Sequence, residues 1–285
     1  MSAMASATQR LSLEQAEQSV LSSATVASRI LSFMFLVVSP LPPCLLFNSW
    51  HTHHNTFRLA VVTLTVIFTQ ELTLSLKLYF LRHGQTDCSR VNAFCGSVDP
   101  ELTPEGLEMA QGFAAAYQAI PWTAIFCSPM RRTIATAKPL CEAIGMTPEV
   151  REGLKEINYG QWEGKTPETV SRDYHDDYIR WLADPAWYPP TEGELAVAIA
   201  YRALQVIDEI KQRFPTGNVL IVSHKATIRI TLCSLLGIDV GRFRFRLGCP
   251  VGSVSIVEFG SHGPLLHALA DRLHLDERLR TLPGT

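Results

Sequence analysis

Leu76-Lys77-Leu78-Tyr79-Phe80-Leu81-Arg82-His83-Gly84-Gln85-Thr86 is the stretch on which the fold of this chain turns. An apolar run rich in β-formers stops abruptly at Arg82-His83-Gly84, a pattern that predicts a buried strand emptying into a loop. Open α/β sheets keep their chemistry at the carboxyl ends of strands, so an Arg-His pair there is well placed for a site. Gly84 permits a sharp turn and a close approach of a ligand to main-chain N–H groups. Asn218-Val219-Leu220-Ile221-Val222-Ser223-His224 repeats the design. Two strands that each deliver a histidine predict one site built from both.

Outward from the first strand, helix and strand signals alternate. Thr103 as N-cap and Pro104 at the first helical position predict a helix to about Gln118. Trp122 to Cys127 reads as a short buried strand ending at Ser128-Pro129, and Met130 to Ile144 as a helix stopped by Gly145. A loop over 154–164, a helix over 167–182 and a Pro/Trp-rich loop over 185–190 follow. The apolar spacing predicts a long helix from Glu192 to Phe214, then the second histidine strand, a helix from Thr227 to Leu236 and a last strand from Ser253 to Phe259. The order predicts an α/β fold, a three-layer α/β/α sandwich with a mostly parallel central sheet, and no internal repeat is visible.

The chain has 285 residues, 47% of them hydrophobic, which suffices for a sizeable core. A formal net charge of −2 argues against sequence-independent nucleic-acid binding. The seven cysteines, at 44, 88, 95, 127, 141, 233 and 249, form no CxxC pair. They read as reduced thiols of a cytoplasmic compartment, and no Cys/His spacing suggests zinc.

Residues 1–73 differ in character. They are rich in Ser, Thr and Ala, lack lysine, and carry only Arg10, Arg29 and Arg58 against Glu14, Glu17 and Glu71. Ile30 to Phe47 is apolar but interrupted by Pro40, Pro42 and Pro43, and Leu59 to Phe68 is too short to span a bilayer. A targeting segment, a membrane anchor and a poorly structured extension all fit, the last best. His51, His53 and His54 receive no role. The division expected is an extension over 1–73, a catalytic domain over 74–275 and a tail over 276–285.

Four motifs occur in order: Arg82-His83-Gly84, Ser128-Pro129-x-x-Arg132-x-x-x-Thr136-Ala137, Glu156 with Tyr159-Gly160-x-Trp162-Glu163-Gly164, and Val222-Ser223-His224. Together they resemble the histidine phosphatase superfamily, and more narrowly its phosphoglycerate mutase-like branch, over about 75–275. The resemblance implies His83 as a nucleophile forming phosphohistidine, Arg82, Arg132 and His224 as phosphoryl ligands, and Glu156 as the acid that protonates the leaving oxygen. Glu152 and Glu163 are rival acids.

The chemistry agrees with the resemblance. Phosphoryl transfer is mostly positioning and electrostatic stabilisation, and planar guanidinium forks suit phosphate oxygens. Neighbouring guanidiniums should hold His83 neutral, with a nucleophilic ring nitrogen.

Two positions depart from the family pattern. Ser89 stands where an asparagine is common, and Lys225 where glycine usually follows the second histidine. Ser89, Thr86 and Lys225 are candidate substrate contacts, with turn capping an equal reading for Thr86. Glu192 and Glu194 read as dipole-complementing residues at a helix start, although Gly193-Glu194 also resembles a pair that the family places near its site.

The expected activity is metal-independent hydrolysis of a small phosphorylated metabolite, with no cofactor. The alternatives are a phosphoglycerate mutase and an inactive phospho-ligand-binding member. Hydrolysis is favoured because the stretch between Glu156 and His224 is short for the segments that would shield a phosphoenzyme from water.

Overall fold

Alternate side chains of each central strand are buried against opposite layers, which is why these strands read as unbroken apolar runs. The computed structural model describes residues 75–284, so the readings made for the N-terminal extension, including His51, His53 and His54, lie outside the described residues. Strand β1 spans Leu76–Arg82, one-turn helix α1 Asp87–Arg90, α2 Pro104–Tyr117, β2 Trp122–Cys127, α3 Arg131–Ile144 and β3 Glu149–Val150. Then come α4 Pro167–Asp173, α5 His175–Ala183, α6 Ala196–Arg213, β4 Gly217–Ser223, α7 Lys225–Leu236 and α8 Phe243–Arg246. Strands β5 Val254–Gly260 and β6 Gly263–Asp271 and helix α9 Glu277–Thr281 complete the fold.

The sheet order is β3-β2-β4-β1-β5-β6. β3, β2, β4 and β1 pair in parallel, and β5 is antiparallel to β1 and β6. Leu78, Phe80, Val219 and Ile221 pack with α6 and α7 on one face, whereas Tyr79, Leu81, Leu220 and Val222 pack with α2 and α3 on the other. The fold is therefore the expected three-layer α/β sandwich. Truncating one such core side chain, Phe80→Ala for example, costs about 3–5 kcal/mol. A third cluster of Phe94, Trp162, Val170 and Trp181, flanked by Tyr159 and Tyr178, lies beside the site.

Several expectations are corrected. The helix expected over 167–182 is two, because Tyr174 leaves helical geometry (φ −134°, ψ 41°), and each half turns a residue (Val170, Trp181) into the aromatic cluster. The long helix starts at Ala196, since Glu192 sits at φ 57°, outside the right-handed helical region. Edge strand β6 was not foreseen, its Gly263-Pro264 start being poor strand chemistry that only an edge tolerates. The stretch read as a C-terminal tail contains α9, whose Leu279 is buried with Met109, Val251 and Leu275.

The cysteine reading is corrected as well. Cys88 and Cys95 form a disulfide, with Cα atoms 6.3 Å apart, because the chain reverses after α1 through Asn92 at φ 54°. Cys127, Cys141, Cys233 and Cys249 are free and buried. The cytoplasmic assignment thus loses the support it drew from uniformly reduced thiols. No helix among the described residues is long and apolar enough to cross a membrane.

Candidate active site

The register of β1 on β4 pairs Arg82 with Ser223, so His83 and His224 leave the sheet side by side. The His83 N–H donates to Ser223 O at 3.1 Å, and the two imidazole centroids are 5.2 Å apart. His83 Nδ1 lies 2.8 Å from Gly84 O. A carbonyl only accepts, so Nδ1 carries the proton and Nε2 keeps its lone pair. Burial, then the charges of Arg132 and Arg82, hold His83 well below the usual histidine range, so the ring is neutral at pH 7. Gly84 lets the loop pack closely on α2, where a Cβ would fall 2.3 Å from Gly106 O, and its N–H donates to Thr136 Oγ1 at 3.0 Å.

Arg82 is buried, and one Nη donates to the carbonyls of Cys249 and Gly284, so the last residues of the chain help to hold it. Its Nε is buried without a hydrogen-bond partner among the described residues, a donor available to an anion. Burial pulls this guanidinium down to about 10.

Arg132 donates from Nε to His224 Nδ1 at 3.2 Å, and from its two Nη atoms to Val98 O, Cys95 O, Gly96 O and Asp99 Oδ1. Neighbouring Arg131 is exposed and pairs with Glu101. Because Arg132 donates to Nδ1, His224 must use Nε2–H toward Ser128 Oγ, 2.8 Å away. Both ring nitrogens are therefore engaged in this structure. Burial and the Arg132 charge also hold His224 well below its usual range.

Glu156 is buried at the cavity wall. Its Oε1 accepts from Ile157 N, Thr227 N and Thr227 Oγ1, and its Oε2 from Ala226 N alone. The carboxylate thus sits on the N-terminus of α7, where orphan N–H groups favour an anion. The rival Glu163 is occupied elsewhere, accepting from the backbone N–H groups of Gly96, Ser97, Val98 and Tyr159. It clamps the same loop whose carbonyls grip Arg132. Glu194 pairs with Arg202, which in turn holds the carbonyls of Gly153, Lys155 and Glu156. That is a role in positioning Glu156, and it replaces the expected dipole role.

Arg82, His83, Arg132 and Glu156 line a cavity of about 350 Å³ together with Thr86, Ser89 and Lys225. Thr86 and Ser89 form a reciprocal capping box on α1, Thr86 Oγ1 accepting from Ser89 N and Ser89 Oγ from Thr86 N. The Lys225 ammonium is 3.5 Å from Asn92 Oδ1. Asn92, Arg229 and Arg244 also line the cavity and were missed. Arg229 was within reach of sequence reasoning, because it lies four residues beyond Lys225 on one helix face. Arg244, in an irregular stretch, gave no signal. An open groove of about 920 Å³ lies beyond Glu156, but its charges are matched, Arg151 with Glu209 and Arg202 with Glu194. Among the described residues no His/Cys/Asp/Glu group is arranged to hold a metal ion.

The chain is similar to several known proteins. Phosphoserine phosphatase 1 of Hydrogenobacter thermophilus is 28% identical over 201 residues, covering 70% of this chain and 95% of that protein. Adenosylcobalamin/alpha-ribazole phosphatase of Salmonella typhimurium is 25% identical over 177 residues, 61% of this chain and 88% of that one. The crystal structure of a phosphoserine phosphatase from Entamoeba histolytica in complex with 3-phosphoglyceric acid superposes with a TM-score of 0.63 at 28% identity. That superposition covers 70% of this chain and all of the other. The family model of the histidine phosphatase superfamily, branch 1, matches residues 78–272, and the chain belongs to that family.

Proposed function

We propose that this protein hydrolyses small phosphomonoesters through a phosphohistidine on His83. The observation that carries the reading is the His83 ring, neutral, fixed by Gly84 O through Nδ1 and flanked by two guanidiniums. In the first step Nε2 attacks phosphorus and the bond to the ester oxygen breaks, while protonated Glu156 gives its proton to that oxygen. In the second, Glu156 takes a proton from water, whose oxygen attacks phosphorus and displaces Nε2. Oε2, which accepts a single hydrogen bond, is the oxygen best suited to carry this proton.

Arg82 and Arg132 neutralise the equatorial oxygens. A phosphoryl oxygen entering between Arg132 Nε and His224 Nδ1 would replace their contact. With His224 bound as the other tautomer, Nδ1–H would donate to the phosphoryl group and Nε2 would accept from the Ser128 hydroxyl, 2.8 Å away. The identities and names of the relatives support a phosphatase over a mutase. Small phosphorylated metabolites, among them the phosphoserine named for two of them, are the first substrates to try.

The deciding experiment is release of free phosphate from a panel of phosphorylated metabolites, with 3-phosphoglycerate isomerisation followed in parallel. Acid-labile, base-stable label should remain on quenched wild-type protein, and His83→Ala should lose both label and turnover. Turnover should survive EDTA, because the arginines supply the charge that metals supply elsewhere. Substantial activity in His83→Ala, or isomerisation without phosphate release, overturns the reading.

A further inference from the structure

The cavity holds a second group of cations besides Arg82 and Arg132. Lys225 and Arg229 sit one turn apart on α7, on one face, and Arg244 reaches the same cavity from α8. Arg229 is anchored through Nε to Leu247 O and through Nη2 to Arg244 O, 2.7 Å away. These bonds tie α8 to α7. The Arg244 guanidinium lies 3.8 Å from the centroid of the Trp181 ring, which fixes its plane. Its Nε is buried without a hydrogen-bond partner among the described residues. Neither Arg229 nor Arg244 pairs with a carboxylate among the described residues.

Three cations gathered in a partly dry cleft repel one another. Glu156 is the one carboxylate among the described residues lining this cavity, and its oxygens are taken by the N-terminus of α7. Burial, with the charges of Arg82, Arg229 and Arg244, draws the Lys225 ammonium down to about 7. An unfilled buried donor beside concentrated positive charge is the arrangement of an anion site awaiting its anion. In the phosphatase reading the phosphoryl group takes the place beside His83, so this anion would belong to the rest of the substrate.

Resting on the phosphatase reading, we propose that Lys225, Arg229 and Arg244 bind a carboxylate of the substrate, so that the enzyme acts on phosphomonoesters of small hydroxy or amino acids. A guanidinium held in one plane presents a fork that matches a planar carboxylate. The cavity, about 350 Å³, is at the small end of ligand sites and suits an acid of a few carbons better than a nucleotide.

The test uses the full chain and two substrate pairs that differ in the carboxylate: phosphoserine against phosphoethanolamine, and 3-phosphoglycerate against glycerol 3-phosphate. The expected kcat/KM ratio is about tenfold or more in favour of each acid, since a buried polar site left unpaired discriminates strongly. In Arg244→Met the ratio should collapse by about tenfold, with Arg244→Lys intermediate because charge remains and the fork is lost. A wild-type ratio below about twofold, a ratio unmoved in Arg244→Met, or preference for a bisphosphate over both acids overturns the proposal. The wild-type comparison decides even where a variant does not fold. Hydrolysis of p-nitrophenyl phosphate by the wild type tests the phosphatase reading separately. If that fails, calorimetric dissociation constants for 3-phosphoglycerate and glycerol 3-phosphate still decide this inference, with the same tenfold preference expected and near-equality overturning it.

Discussion

The two ends of the cavity are built differently. At the phosphoryl end, Arg82 closes β1, and His83 and His224 follow directly on paired strands, their spacing fixed by the ladder register. At the far end, Arg229 comes from the second turn of α7 and Arg244 from a four-residue helix in a connecting segment. Sheet register holds side chains to the tolerance that bond-making demands, whereas a connecting segment can change without disturbing the sheet. The groups proposed to react therefore sit on the rigid part, and Arg244, one of the groups proposed to choose among substrates, sits on the part free to vary.

The largest expected effect belongs to the rigid end. Glu156→Gln should lower kcat for an alkyl phosphate by about 10² to 10⁴, the usual worth of general acid–base catalysis. The loss should be much smaller in the first step with p-nitrophenyl phosphate, whose leaving group needs no proton, and burst kinetics read that step. Equal losses of phosphoenzyme formation on both substrates would remove Glu156 from the acid role.

That division also explains what could be read from the sequence. Arg82, His83, Arg132, Glu156 and His224 were legible because each lies in a short motif attached to a strand end or helix start. Glu163 was visible as an acid but not as a clamp, because four backbone donors converge on it only after the loop folds. The Cys88–Cys95 disulfide was missed because a count of cysteines over the whole chain carries no information on which two a tight reversal brings together. Arg244 was illegible for a related reason. Its meaning depends on Trp181, 63 positions earlier, and no local pattern links the two.

The loop that grips Arg132 gives the next largest effects. Cys95, Gly96 and Val98 hold Arg132 by their carbonyls and Asp99 by its carboxylate, and this loop is held in turn by Glu163 and the disulfide. Cys88→Ser with Cys95→Ser should cost about 2–3 kcal/mol of stability in the loop-entropy account. Glu163→Gln should cost about 1.5–3 kcal/mol, since an amide NH₂ would then face backbone N–H donors. Both should raise KM more than they lower kcat, as Arg132 loses its seat while His83 keeps its own. Urea titration with steady-state kinetics reads both quantities, and unchanged KM would show that the loop does not position Arg132.

The buried histidines predict a pH dependence of stability. His83 and His224 are neutral in the folded chain, their folded values lying well below the usual one. Unfolded, each titrates near 6.5, so below that pH the unfolded chain binds more protons. Stability should be fully present above about pH 6.5 and fall by about 1.4 kcal/mol per pH unit and histidine as pH drops, until the folded values are reached. Replacing His224 by Gln should remove one histidine's share of the slope. An identical slope in that variant would mean that His224 is charged in the folded protein.

The smallest effect expected is that of removing the N-terminal extension, and it bears on both ends at once. Every motif and every described cavity-lining residue lies beyond position 81, and β1 begins at Leu76 with both its faces packed by helices of the same unit. A chain beginning near Leu74 should therefore fold and keep kcat/KM for p-nitrophenyl phosphate within about twofold, because the groups proposed for the reaction all remain. The acid-over-alcohol selectivity ratio should hold to the same tolerance. The two readouts separate the ends of the cavity. Aryl phosphate turnover lost along with folding would make the extension part of the core. Turnover kept while the ratio falls would instead assign the extension to the carboxylate end, whose cations would then need residues from outside the sheet domain to discriminate.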